Sequence, residues 1–435
     1  MTTVRNADQF IAAINDKLIH WRRQLHQIPE VGWCEYQTTS YIFEQLKETA
    51  FDVYVGKEIH SLNGRYGLPT IVEEDKFAAL ATASGVQKSL IEQMKGGFTG
   101  VVAQLKTGRP GKHFAFRFDI DALPLEESNT DWHLPHQKHF HSNHDGVMHA
   151  CAHDGHAAIG LGLAAFLNEH KDELNGTYTM IFQPAEEGGR GAKSIVEKGW
   201  LKNVDYFLSG HIGIHSHKIG QIAATTSHIL ATTKLNVTFT GLSAHAGVEP
   251  HKGKNALLAA ATATVHLYTI APHASGDTRI NVGKLEGGRG RNIVADHAQM
   301  EIETRGETDT ENQYMLTQAR RIIEAAAKMN DVDVKMEVVG EAHSTEVDND
   351  FFEKFKKATE SSRYVQQVVP STSLNGSEDV TYMMNEVRKN GGKATYMNFG
   401  TPLKGGHHQR DFDFDEKVLA VAVNSLCCFI IQEQE

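Results

Sequence analysis

Four short stretches gather side chains that bind metal ions or move protons: His149-Ala-Cys151-Ala-His153-Asp154-Gly-His156, Gln183-Pro-Ala-Glu186-Glu187-Gly188, Gly210-His211 and Gly406-His407-His408. Thiolate, imidazole and carboxylate together suit zinc or a similar borderline divalent ion, and donors from several distant stretches can surround one. Taken singly, each stretch has a plain structural explanation: a small buried Cys, a hydrogen-bonded His, a solvated helix start. Jointly those explanations lose force. Paired glutamates after Gln-Pro, with glycines close by, are poorly explained by propensity, and burying such charges unpaired is costly. A rival chemistry makes Cys151 a nucleophile with His153 or His156 as its base, because a neighbouring imidazole lowers a thiol pKa. It leaves Glu187, His211 and His408 without work.

Distant donors converge only if the chain brings strand ends together. The alternation Phe114, Phe116, Phe118, Ile120 reads as a strand whose other face carries Arg117, Asp119 and Asp121. Further strands at 177–183 and 204–209, separated by helices at 156–170 and 191–199, build a sheet flanked by helices, with ligands expected beyond the carboxyl ends of its strands. Upstream, residues 7–50 read as two helices broken around Pro29 and Gly32, and the stretch from Glu74 to Met94 as an amphipathic helix covering the core. Downstream the order becomes strand 230–241, helix 254–270, strands 278–286 and 297–305, helix 310–328, strand 332–339. That β-α-β-β-α-β order is a compact ferredoxin-like unit in its own right. The expectation is an α/β protein: a mixed sheet flanked by helices, formed by residues 1–225 and 341–435, with 226–340 inserted. The five histidines from His133 to His144 read as a solvated loop.

The 435 residues hold enough apolar content, 40%, for two or three cores, and a formal charge of −11 without long basic runs argues against a general nucleic-acid or anionic-membrane binder. The longest apolar runs read as too short to span a bilayer. Met1 to Phe10 carries no secretory core after Arg5, which places the protein in the cytoplasm. Four cysteines cannot make a disulfide framework, and Cys34, Cys427 and Cys428 read as buried thiols.

The chain resembles the M20 metallopeptidase and amidohydrolase family, in its aminoacylase-like branch. The likeness rests on Arg117-Phe-Asp119-Ile-Asp121-Ala-Leu-Pro124, the His-Ala-Cys-x-His-Asp run, Gln-Pro-Ala-Glu-Glu-Gly, Gly241-Leu-Ser-Ala-His245-Ala and Gly376-Ser377-Glu-Asp379. A narrower resemblance, to the branch that cleaves p-aminobenzoyl-glutamate, rests on His20-Trp-Arg-Arg23, Gly96-Gly-Phe-Thr-Gly100, Ala231-Thr-Thr-Lys234, Asn255-Ala-Leu-Leu-Ala-Ala-Ala261 and Gly405-Gly-His-His408. The resemblance implies a zinc-peptidase-like catalytic domain and, at 226–340, a lid and dimerisation domain. It implies two divalent ions per protomer, Zn²⁺ or Mn²⁺, on Cys151, His153, Glu187, His211 and His408, with the thiolate bridging. His408 rather than His407 fits the family's spacing to Phe412 and Asp415-Glu416. Ala152 departs from the Gly usual between Cys and His.

On the same grounds Glu186 is the general base and Asp119 orients ligands. Two ions roughly 3.5 to 4 Å apart can hold one hydroxide and polarise an amide carbonyl. His245 reaches into a neighbouring protomer's active site and stabilises the oxyanion, while Asn292, Arg305, Gly376 and Ser377 bind substrate, Arg305 through its carboxylate. The implied reaction is hydrolysis of an N-aroyl or N-acyl amino acid by a homodimer, or by a heterodimer with a homologous B subunit, with p-aminobenzoyl-glutamate foremost. Two alternatives stand beside it: another N-acyl-amino-acid hydrolase or carboxypeptidase, and a metal-stabilised interaction subunit silent without its homologous partner.

Overall fold

In the computed structural model, which describes residues 7–215 and 218–434, α1 (Ala7–His26) buries Phe10, Ile11, Leu18, Trp21 and Leu25, the spacing of a core-facing helix. The reading of Met1–Phe10 lies largely outside the described residues. α2 (Tyr36–Leu46) and β1 (Asp52–Val55) follow. The helix expected from 74 to 94 is in fact two, α3 (Ile71–Ala83) and α4 (Lys88–Met94). A capping box between Thr70 and Glu73 starts the first, and a turn with Gly85 at φ 88° divides them, a conformation glycine adopts freely. Both cover the core, through Phe77, Ala81, Leu90, Ile91 and Met94.

The chain continues through β2 (Val101–Lys106), β3 (His113–Asp119), the short α5 (Leu134–Gln137), α6 (His153–Glu169), β4 (Thr177–Gln183), α7 (Ala192–Lys198), β5 (Tyr206–Ile212) and β6 (Gln221–Ile229). Next come β7 (Ala231–Thr240), α8 (Ala256–Leu267), β8 (Thr278–Gly287), β9 (His297–Gly306), α9 (Asp309–Met329) and β10 (Asp333–Ala342). α10 (Phe351–Ala358), β11 (Gln367–Gly376), α11 (Val380–Lys389), β12 (Lys393–Phe399), β13 (Leu403–Lys404), β14 (Asp413–Phe414) and α12 (Lys417–Gln434) complete it.

One eight-stranded sheet has the order β1-β2-β4-β3-β5-β12-β6-β11. Its centre, β4-β3-β5-β12, is parallel, while β1–β2, β2–β4 and β12–β6 are antiparallel. The fold class is therefore α/β with a mixed sheet between helices. α6 packs close to the sheet because it is rich in small residues: a Cβ at Gly160 would stand 2.6 Å from Phe182 and 2.7 Å from Phe118. Ile120 and Leu208 join the same core. α12 is long and apolar enough to cross a membrane by length and composition alone, yet 67% of it is buried against neighbours that include α1, α6 and α10. It is a core helix.

The second sheet, order β10-β7-β9-β8, is antiparallel throughout and comes only from the segment between β6 and β11. Alternation in β7 turns Leu235, Val237 and Phe239 toward α8 and α9, where they form a separate core with Ala260, Met300 and Ile323. A capping box between Thr308 and Glu311 starts α9.

One expectation fails. The segment from His133 to His144 is not uniformly solvated: His133 is 1% and His144 9% exposed. His133 Nε2 lies 2.9 Å from Glu127, and His144 bonds the Pro29 carbonyl at 2.7 Å and the Gln37 amide at 2.9 Å. Histidine spacing carries no sign of these partners, which lie far away in sequence or on a buried acid.

Candidate active site

The carboxyl ends of the parallel strands supply most of the polar groups. Asp119 ends β3 and Gln183 ends β4, with Glu186 and Glu187 in the turn just beyond it; His211 lies near the end of β5. Cys151 and His153 arrive differently, at the start of α6 after the long connection from β3. Here Ala152 stands at φ 65°, a left-handed conformation that costs an L-residue roughly 1–2 kcal/mol. That is the physical reason for a glycine at this point in related chains. His407 and His408 come from the loop between β13 and β14. The cleft they line has a volume of about 480 Å³.

Within it Cys151 belongs to two groups of donors, each able to converge on one ion: Cys151, His153 and Glu187, and Cys151, His211 and His407. Cys151 Sγ lies 3.4 Å from His211 Nε2 and 3.7 Å from His407 Nδ1. Hydrogen bonds on the far side of two rings fix their tautomers. His153 Nδ1 donates to the Asp121 carbonyl and His211 Nδ1 to the Ile212 carbonyl, each at 2.9 Å, so both Nε2 lone pairs are free. His153 Nε2, Glu187 Oε1 and His407 Nε2 are buried without any hydrogen-bond partner. Orphaned acceptors beside a thiol are what a divalent cation would satisfy, so the residues fit the metal centre that the resemblance implies. His408, expected as the fifth ligand, is half exposed and places Nε2 3.2 Å from Glu187 Oε1. Spacing in the sequence favours His408 and passes over His407, which the structure also brings close to the sulfur.

Glu186 enters the same cleft outside both donor groups, its Oε2 3.9 Å from His153 Nε2. Burial, the Glu378 carboxylate and the Glu187 carboxylate hold its carboxyl well above the ordinary range. Asp119 behaves oppositely. Burial alone would raise it, but His153, His156 and Arg117 hold it well below the usual carboxylate range. It accepts from His156 Nδ1 at 2.5 Å and from Arg117 at 2.7 Å, and stands 3.8 Å from His153 Nε2. His156 Nε2 in turn accepts the Ile212 N–H at 3.0 Å, so this imidazole has no free lone pair for a base or a ligand.

Burial and the Glu187 carboxylate push the Cys151 thiol upward. An activated nucleophile needs the reverse. The Cys-nucleophile reading therefore loses both its base His156 and its thiolate.

Two supports are hidden from the sequence. Asp121, readable only as a turn residue, accepts the backbone N–H groups of Glu186 and Glu187 at 3.0 Å each and so clamps the turn that carries both acids. Arg117, fully buried, donates to Asp119, Gln183, Glu378 and Asp379, while Glu378 also accepts from Tyr396 at 2.7 Å. Asp154 takes no part: it binds Arg22 and His26, each at 2.8 Å, away from the cleft.

The remaining candidates separate. Arg305 lines the cleft from β9, held by Glu303 through contacts of 2.9 and 3.2 Å. Ser377 lines it too, with a buried Oγ that has no partner. Gly376 closes β11, its carbonyl accepting from Leu230 at 2.7 Å. His245 and Asn292 lie together at the other end of the small sheet, both exposed, joined by the Ala246 N–H to the Asn292 carbonyl at 2.9 Å. Thr232 and Lys234 at the start of β7 line the cleft, and His245 lies beyond its tenth residue, about 30 Å further along the strand.

The sequence model of peptidase family M20/M25/M40 matches residues 115–432. The chain belongs to this family. Within it, the protein is 42% identical over 420 residues to the indole-3-acetyl-aspartic acid hydrolase of Enterobacter agglomerans, covering 96% of each chain. It is also 42% identical over 424 residues to one of the two kinds of chain named for p-aminobenzoyl-glutamate hydrolase, the A type, of Escherichia coli strain K12, covering 97% of each. The crystal structure of an aminobenzoyl-glutamate utilization protein from Klebsiella pneumoniae superposes with a TM-score of 0.83 at 35% identity, over 98% of both chains. Together these make this M20 protein a hydrolase of amide bonds.

Proposed function

We propose that the protein hydrolyses the amide bond between an aromatic acyl group and an amino acid, p-aminobenzoyl-glutamate foremost, in the cytoplasm. The observation that carries this is the sharing of Cys151 between two donor groups while Glu186 stays outside both. Cys151, His153, Glu187, His211 and His408 would hold two divalent ions, with His407 the other imidazole in reach. Zinc and manganese both suit the imidazoles and carboxylate, and the thiolate favours zinc. Bound there, the ions would supply Lewis acidity toward the amide carbonyl and favour deprotonation of water.

The chain's own groups do the rest. Glu186 takes the proton of the attacking water and delivers it to the leaving amine, and its raised carboxyl suits it to hold that proton between the two transfers. Asp119 and Asp121 fix the rings and the Glu186–Glu187 turn. Ile214, Leu374 and Leu403 give the cleft an apolar wall for an aromatic acyl group. Arg305, Ser377 and Gly376 receive the substrate's α-carboxylate, Arg305 through the planar fork that matches one. Asn292 and His245 serve a site in a second chain, either another copy or a homologous B subunit; relatives named as one of a hydrolase's subunits support the latter. Residues 226–340 would then act as lid and dimerisation domain. A silent interaction subunit is disfavoured, because base, donors and cleft all lie in this chain.

Release of p-aminobenzoate by the purified chain with added Mn²⁺ or Zn²⁺ tests the proposal. Release that a chelator abolishes is expected. No release from any member of a panel of aroyl and acyl amino acids overturns it.

A further inference from the structure

The cleft holds a cation that neither the metal centre nor the base employs. Because Leu235, Val237 and Phe239 face the core of the small domain, β-strand alternation turns Lys234 to the opposite face of the sheet, toward the cleft, with Thr232. Its register partners are Glu303 in β9 and Gly340 in β10, and Arg305 is its diagonal neighbour on the same face. The two cations are treated differently. Glu303 grips Arg305 with both oxygens, at 2.9 and 3.2 Å, whereas Lys234 makes no ion pair or hydrogen bond among the described residues.

Lys234 is also half buried, and burial lowers its ammonium below the usual range. A cation withdrawn from water without a partner costs stability, and nothing in the fold repays it. Packing keeps its stem in place: at Gly340 an added Cβ would stand 3.3 Å from Lys234 Cδ, so only a residue without a side chain leaves the stem its full room. The cleft therefore presents two positive groups side by side, one a planar fork and the other a point charge on a flexible stem. An amino acid with a single carboxylate can occupy only one of them.

We propose that Lys234 binds the side-chain carboxylate of the substrate's amino acid, so that the enzyme selects N-acyl dicarboxylic amino acids over their neutral counterparts. This rests on the reading of the cleft as an acyl-amino-acid hydrolase site, with Arg305 on the α-carboxylate. A point charge with three rotatable donors tolerates different chain lengths, so aspartate and glutamate conjugates are both accepted.

The test compares kcat/KM for p-aminobenzoyl-glutamate and p-aminobenzoyl-glutamine, which differ by one charge at nearly constant shape. In the wild type the glutamate conjugate should be preferred about 10- to 100-fold, the ordinary worth of a charge-assisted hydrogen bond. Lys234→Met, which keeps the stem and removes the charge, should bring the ratio close to one, chiefly by raising KM for the glutamate conjugate; Lys234→Gln should do the same. Thermal melting of both variants shows that they are folded. Equal use of the two substrates by the wild type overturns the proposal, as does a preference that survives in both variants. So does an equal fall on both substrates, which would mean that Lys234 serves the chemistry. If the wild type cleaves neither conjugate, the hydrolase reading falls with it.

Discussion

Glu186→Gln is expected to lower kcat about 10²- to 10⁴-fold, the usual contribution of a positioned general base, while metal content and KM change little. The expectation follows from placement. Glu186 reaches the cleft beside His153 but lies outside the two donor groups that share Cys151. The amide keeps the shape and hydrogen-bonding reach of the acid, so the turn held by Asp121 has no reason to move. What is lost is the ability to accept a proton. Elemental analysis beside steady-state kinetics separates the outcomes: a variant that loses metal would make Glu186 a ligand, and one that keeps its turnover would remove it from the chemistry.

His245→Ala carries the second large effect, a fall in kcat of roughly 10²- to 10³-fold, as when a single oxyanion donor is removed. Its exposed position, about 30 Å along β7 from the cleft of its own chain, makes a role in that cleft unattainable without a second chain. The consequence can be checked by mixing. If two copies pair, inactive Glu186→Gln and inactive His245→Ala chains together form hybrid dimers in which one site holds both intact groups. Random pairing then restores about a quarter of wild-type activity. Full activity of His245→Ala rejects the role, and a failure of the mixture to recover points to a different partner chain.

The sequence discloses these groups unevenly, for physical reasons. Elements with strong local periodicity are legible: the alternation of Leu235, Val237 and Phe239 and the start of α9 at Thr308 are written within a few residues of chain. The direction of β2 against β4, or of β6 against β12, depends on pairing across long stretches and has no local signature. Donor residues can be found because few other reasons put Cys, His and paired Glu beside glycines. Their supports cannot. Arg117 meets Glu378 and Asp379 from 261 and 262 residues away, and Asp121 shows its purpose only when two backbone N–H groups point at it. His133 and His144 mislead for the same reason, since burial of a loop histidine depends on remote partners. Lys234 is only one residue of a motif until its lack of any partner can be seen.

The central claim is that one sulfur joins two metal positions beside an uncoordinated acid. Counting divalent ions per chain by plasma mass spectrometry, after reconstitution and removal of excess metal, tests it most directly. Two ions in the wild type, one in His153→Ala, one in His211→Ala and none in Cys151→Ala is the predicted result. A Cys151→Ala chain that still holds two ions, or a wild type that holds none, would contradict the account.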